Sequence, residues 1–186
     1  MSEWLLPFPD KMLADPVGSH TAARKSMGLG PHRGVDWNGM KKGAALKAVH
    51  AGTISANYWS DVLGWVVELK VMGPFGSDRK IVPVFFMYCH LDKQSPLKVG
   101  SKVACGDVVG GAGTSGSASS GIHLHFTMSL TSKGGAMGKV FDAHAYLTRR
   151  VNESKKSPAV VVASKAPTRC EACPCKNGCA NEVSTT

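Results

Sequence analysis

Two short segments carry side chains that can do chemistry together. His123-Leu124-His125 places two imidazoles two residues apart, and His32-Arg33-Gly34-Val35-Asp36 places an imidazole four residues before a carboxylate. Nitrogen and oxygen donors of this kind suit Zn²⁺, and three protein ligands with one open position mark a catalytic rather than a structural site. Between them the segments supply three such ligands and a spare histidine, a set that points to metal-assisted hydrolysis.

Spacing then dictates the local structure each segment needs. In a helix His123 and His125 would point about 200° apart, whereas in a strand they share one face and can address one site. The alternation agrees, with Ile122, Leu124 and Phe126 on one face and His123, His125 and Thr127 on the other. Their Cα atoms then lie about 6–7 Å apart, so one ring can ligate while the other stands near the open position. For His32 and Asp36, four residues of straight strand would span about 13 Å, too far for side chains roughly 2 Å from one ion. The chain must bend there, and Gly34 permits the bend. The glycine-serine run from Gly110 to Gly121 leads directly into the histidine strand. It reads as a loop shaping a groove for an extended substrate rather than as a linker.

Short strands and turn signals dominate the surrounding chain. Candidate strands are Ala51–Ala56, Gly64–Val71, Ile81–His90, Lys102–Ala104, Val108–Gly110 and Ile122–Leu130, with Phe141–Leu147 as a closing helical turn and no long amphipathic helix. Alternation over Phe85–Leu91 puts Phe86, Tyr88 and His90 on one face, and Phe85, Met87, Cys89 and Leu91 on the other. Cys89 is thereby expected in the core, opposite His90. The expected fold class is mostly β, an antiparallel sheet flooring a groove. Residues 1–30 read as an N-terminal arm and 31–149 as the domain. A Ser-, Lys-, Ala- and Pro-containing linker follows over 150–169, then a Cys-rich tail over 170–186.

Composition narrows the partners. A formal charge of +9 over 186 residues attracts something anionic: nucleic acid, an acidic membrane or a teichoic-acid-bearing wall. Nucleic acid is not expected, because no aromatic-basic platform accompanies the charge. The longest apolar run, Ile81 to Leu91, contains Pro83 and is far too short for a membrane span. Met1-Ser2-Glu3-Trp4-Leu5-Leu6-Pro7 lacks a basic start and an uninterrupted apolar core, so synthesis in the cytoplasm without a secretory signal is expected.

Taken in order, the motifs resemble the lysostaphin/LytM-type zinc metallopeptidases of peptidase family M23, which cleave peptide bonds in bacterial peptidoglycan. The resemblance runs over roughly residues 30 to 147, from His32-Arg33-Gly34-Val35-Asp36 through Ala48-Val49-His50-Ala51-Gly52-Thr53-Ile54 and Tyr88-Cys89-His90-Leu91. It continues with Val99-Gly100-Ser101-Lys102-Val103 and ends on Ser119-Ser120-Gly121-Ile122-His123-Leu124-His125-Phe126. It implies an M23-like fold in which His32, Asp36 and His125 hold Zn²⁺ while His90 and His123 are unligated catalytic histidines. It implies a peptidoglycan peptide as substrate. With no secretory signal, a phage endolysin or a virion-associated lysin acting on the cell wall is expected, with phage tail proteins as partners through the C-terminal tail. The alternative is a non-catalytic virion or envelope protein reusing the fold; the five intact positions favour catalysis. Two departures bear on substrate preference: Thr127-Met128 replaces the common acidic-aliphatic pair, and residues 19–31 lack the tyrosine that many members carry upstream. His20, His50 and His144 read as structural or surface residues.

The tail is a separate problem. Cys170, Cys173, Cys175 and Cys179 fall within ten residues, while Cys89 and Cys105 belong to the domain. Four thiolates so close can wrap one structural Zn²⁺ as a knuckle or form a partner-docking knob; disulfides and a tail without order are the competing readings. Metal analysis of Asp36→Ala, which empties the main site, separates them. Retention of about one zinc, lost on Cys173→Ser, supports the knuckle, and no zinc with four reactive thiols rules it out.

Overall fold

The computed structural model describes residues 3–156 apart from 10, 11, 20 and 27, so the four tail cysteines and His20 lie outside the described residues. Among the described residues nine strands and three helices follow one another. They are β1 (Leu13–Asp15), α1 (Ala22–Ser26), β2 (Val35–Asn38), β3 (Ala45–Lys47), β4 (Gly52–Ser60), β5 (Gly64–Phe75) and β6 (Lys80–Leu91). Then come β7 (Lys102–Val103), β8 (Val108–Gly111), β9 (His123–Ser129), α2 (Gly134–Met137) and α3 (Ala143–Lys156). Seven strands form one sheet in the order β1-β2-β9-β6-β5-β4-β7, and β3 pairs with β8 in a second, small sheet. Every pairing in both sheets is antiparallel. The expectation of a mostly β, antiparallel fold therefore holds. Three details differ: the arm supplies an edge strand, β1; α3 is a full helix; and it runs past Arg150 to Lys156, into the stretch read as linker.

The large sheet has two unlike faces, as period-2 side chains require. One face packs Trp37, Leu124, Phe126, Phe86, Tyr88, Leu69 and Ile54 into the main core, closed by Leu46 and Val109 of the small sheet, Trp4 of the arm and Leu147 of α3. Phe86 and Phe126 stack with centroids 5.5 Å apart, and Tyr88 and Trp37 meet Phe126 edge-on at 4.9 and 5.9 Å. Burying aromatic area of this size is the dominant stabilising term here. Tyr88 also donates its hydroxyl to Lys47 O and accepts from Val49 N, so its polar end is satisfied.

The other face carries the polar residues. Cross-strand partners share a face: Asp36 pairs with His125, and His125 with Cys89, in one row across β2, β9 and β6. The alternation expected for β6 fails at its end. Trp65 pairs with Leu91 but Val67 pairs with Tyr88, so Cys89 and His90 together oppose Val66 in a β-bulge. His90 takes φ +58 and donates its N–H to Leu63 O. The extra residue turns His90 away from Phe86 and Tyr88 and returns Leu91 to the core with them. Cys89 is fully buried, but beside Val66 and Met87 rather than in the main core. Burial pushes its thiol far up the pKa scale, so it stays protonated.

On the same face, Glu68 is wholly buried. Its carboxylate accepts from Ser55 Oγ at 2.7 Å, Ser132 Oγ at 2.7 Å and the backbone N–H of Lys133 at 2.6 Å. Lys133, at φ +56, opens α2. Glu68 thus ties the segment after β9 to the sheet floor. Glu68→Ala leaves buried donors without an acceptor and is expected to lower the unfolding free energy by about 2–4 kcal/mol. Urea denaturation reads this directly, and an unchanged midpoint would make the anchor dispensable.

Candidate metal and catalytic centre

Two pieces of backbone bring the first three residues together. Pairing of β2 with β9 sets Asp36 opposite His125, and His125 Nδ1 lies 2.9 Å from Asp36 Oδ1. His32 enters from the turn before β2, with Nε2 2.9 Å from His125 Nδ1 and 3.2 Å from Asp36 Oδ1. Its backbone is fixed by N–H donation to Ser19 O and by Gly18 N–H donating to its carbonyl, both within the arm. Gly34 lies at the bend expected of it and has a second role. A Cβ at that position would overlap the His125 ring, so glycine is needed for the close approach of the two segments.

Tautomers follow from the acceptors. His32 Nδ1 lies 3.1 Å from Pro16 O, and a carbonyl only accepts, so the ring donates from Nδ1 and presents the lone pair of Nε2. Three potential ligand atoms, His32 Nε2, Asp36 Oδ1 and His125 Nδ1, converge within 3.2 Å, hydrogen-bonded to one another here. Donors about 2.1 Å from a tetrahedral ion stand roughly 3.4 Å apart, so the set fits a small divalent cation such as zinc. Among the described residues this is the one His, Cys, Asp or Glu group with that geometry. Burial by itself raises the Asp36 carboxyl, but hydrogen bonds and charge from His125 and His32 outweigh it and hold the group well below the usual carboxylate range. Burial lowers His125 from its ordinary value, offset in part by Asp36.

His90 and His123 flank this trio without joining it. Their ring centroids are 4.7 Å apart, and His90 lies 5.7 Å from His125. His123 Nδ1 donates to Gly121 O at 2.8 Å, leaving Nε2 4.0 Å from Asp36 Oδ1. His90 Nδ1 donates to Ser115 O at 2.7 Å, so its Nε2 is likewise a free acceptor. Burial, then the neighbouring His123 and His125, pull His90 down to about 3. All five histidine and aspartate side chains singled out in the sequence thus meet at one place. His50 instead stacks on Trp4 at 4.1 Å, and His144 lies 6.1 Å from Trp37, as structural residues do.

The carbonyls that orient these rings escaped sequence reading, because backbone oxygens have no residue signature. The glycine-serine loop supplies two of them and is far from slack. Ser115 Oγ donates to Leu91 O at 2.6 Å and accepts from Trp65 N at 3.0 Å, while Ser117 and Ala118 N–H groups bond the β4–β5 turn. Gly64 at φ +67 and Gly116 at φ +84 are the close-approach points that allow this. A cleft of about 310 Å³ opens over the centre, lined by Asp36, His90, His123 and His125 and walled by Val62, Ala118 and Ala136.

Comparison with known proteins now has a site to bear on. The sequence profile described as "Peptidase family M23" matches residues 30–137. The chain belongs to peptidase family M23. It is therefore a peptidase, and a hydrolase by class. The catalytic domain of lysostaphin, an antimicrobial peptidase from Staphylococcus simulans, is similar at TM-score 0.57 and 26% identity, over 73% of this chain and 91% of that domain. Whole lysostaphin is matched over 50% of its length. LytU (TM-score 0.58, 23% identity, 82% of this chain and 95% of that one) resembles this M23 chain in fold. So does a zinc-containing peptidase from Vibrio cholerae (0.55, 20%, 74% and 37%). No curated protein sequence matches the chain.

The low position of His90 has a testable consequence. Unfolded, the ring titrates near 6.5; folded, near about 3. Between those values the unfolded chain holds the extra proton, so this contribution is present above 6.5 and is lost as pH falls toward 3. In metal-free protein the stability difference between wild type and His90→Gln should shrink on acidification, approaching about 1.4 kcal/mol per pH unit. Urea midpoints from pH 7 to 4.5 measure it. Parallel curves for the two proteins would refute the assignment.

Proposed function

We propose that the chain is a zinc endopeptidase that hydrolyses peptide bonds of bacterial peptidoglycan. The carrying observation is the convergence of His32 Nε2, Asp36 Oδ1 and His125 Nδ1 beside two histidines whose Nδ1 atoms are committed to backbone carbonyls. A zinc ion held there supplies Lewis acidity to a water and to the scissile carbonyl. The rest is the work of this chain's own groups. His90 and His123 lie on one side of the ligand trio, with Nδ1 committed to Ser115 O and Gly121 O. Each can take a proton at Nε2, or return one from it to the leaving amine or the developing oxyanion. Neutral His90 is available for this throughout the physiological range. The cleft walls limit water around the scissile bond and favour an extended peptide.

Support for a wall substrate comes from the lysostaphin catalytic domain, an antimicrobial peptidase at 26% identity, and from a net charge of +9 suited to an anionic wall. Delivery as a phage endolysin or virion-associated lysin, with tail proteins as partners of residues 170–186, belongs to the same proposal. Mass spectrometry of purified particles and of lysates distinguishes the two routes. No helix among the described residues is long and apolar enough to cross a membrane. The non-catalytic reading has no observation in its favour.

Four substitutions test the roles. Asp36→Ala and His125→Ala are expected to lose both bound zinc and lysis of sacculi. His90→Ala and His123→Ala are expected to keep most of the zinc while losing activity by about 10²-fold or more. Metal analysis alongside turbidity assays reads both quantities. Full activity in His90→Ala would remove that residue from the mechanism.

A further inference from the structure

The cleft carries a charge pattern that hydrolysis of a peptide bond does not itself require. Arg24 and Arg33 line it together with the three histidines, and its sole carboxylate, Asp36, is engaged by His32 and His125. Arg24 also lines a second cleft, which shares Asp36, Ala118 and His123 with the first, so its side chain stands where the two halves of the groove meet. Arg24 is set there by its backbone: its N–H caps onto Thr21 Oγ1 and its carbonyl accepts from Leu29 N. Its Nε donates to Gly30 O at 3.1 Å, which fixes the plane of the guanidinium, and among the described residues its terminal nitrogens have no carboxylate partner. Arg33 spends one Nη on Gly138 O. Among the described residues, neither arginine has a carboxylate within ion-pair distance.

An extended peptide lying across the centre covers both guanidinium groups and strips water from them. An uncharged substrate leaves that desolvation uncompensated. A carboxylate on the substrate offsets it, since a planar guanidinium meets a carboxylate with two parallel charge-assisted hydrogen bonds. Asp15, lining the second cleft, lies 3.6 Å from His32 Nδ1 and leaves Arg24 free for such an anion.

We infer that the groove selects a peptide bearing a free carboxylate beside the scissile bond, with Arg24 as the main anchor and Arg33 as the second. This rests on the peptidase reading and sharpens it, placing acidic wall cross-links ahead of neutral glycine bridges. Both arginines are specificity-determining residues and take no part in moving protons.

The test uses full-length, zinc-loaded protein and three synthetic substrates. Two are cross-linked peptides identical except that the carboxyl next to the scissile bond is free in one and amidated in the other; the third is pentaglycine. The expected wild-type kcat/KM is about tenfold to a hundredfold higher for the free acid than for the amide, as charge-assisted hydrogen bonds provide. In Arg24→Gln the ratio falls toward one, and a ratio is insensitive to the fraction of protein folded. In wild type the preference shrinks as salt rises. Non-cleavable analogues with a reduced amide at the scissile position, read by calorimetry, give the same ratio as binding. Cleavage of all three substrates without preference overturns the inference and leaves the peptidase reading intact. An Arg24-dependent preference in binding, with no substrate cut, keeps the carboxylate-binding role of Arg24 and removes the proposed cleavage of wall peptides. Neither preference nor cleavage overturns both.

Discussion

Two imidazole nitrogens and a carboxylate oxygen held within 3.2 Å of one another need something positive among them, a shared proton or a cation. That local tension sets the requirements for the rest of the molecule. β2 must pair with β9 in the single register that faces Asp36 with His125. A one-residue slip would send Asp36 to the core face and Trp37 into the groove. The core enforces the register from the other side, because Trp37 and Phe126 interlock only when Asp36 and His125 face the groove. Aromatic packing on one face therefore holds the donors together on the other.

The remaining histidines are held by smaller devices. His90 reaches the site because a bulge inserts one residue into β6, and the bulge is held by the β4–β5 turn and by Ser115 of the glycine-serine loop. His123 is oriented by Gly121 of the same loop. One segment thus controls both rings while also lining the cleft, so loop geometry and proton handling cannot vary independently. Glu68 plays the matching part on the far wall, tying the start of α2 to the sheet.

Much of this was legible in the sequence, for physical reasons. The period-2 pattern of Ile122 to Thr127 reports directly which side chains face the core, and the two-residue spacing of His123 and His125 has meaning only on a strand. The β6 reading failed at its last residues because alternation presumes a regular ladder, and a non-glycine residue at positive φ leaves no mark in composition. The strands β1 to β3 passed unnoticed, since each has three or four residues and no full period to count. α3 was underestimated because its buried positions, Ala143, Leu147 and Arg150, include a small residue and a charged one, so its apolar stripe is thin. The second role of Gly34 was missed: close approach to a ring and freedom to bend call for the same residue, and a sequence cannot tell them apart.

The strand order has an effect on how the molecule behaves in a crowd of its own copies. Its two longest strands, β5 and β6, lie inside the sheet, while the edges are β1, with three residues, and β7, with two. An open edge offers unpaired N–H and C=O groups as a template on which another chain can polymerise. At β1 and β7 only one or two such groups are presented before the backbone turns away, whereas among the described residues β4 beyond Thr53 has no strand on its outer side. A ribbon of copies would therefore start more readily on β4 than at either terminal strand.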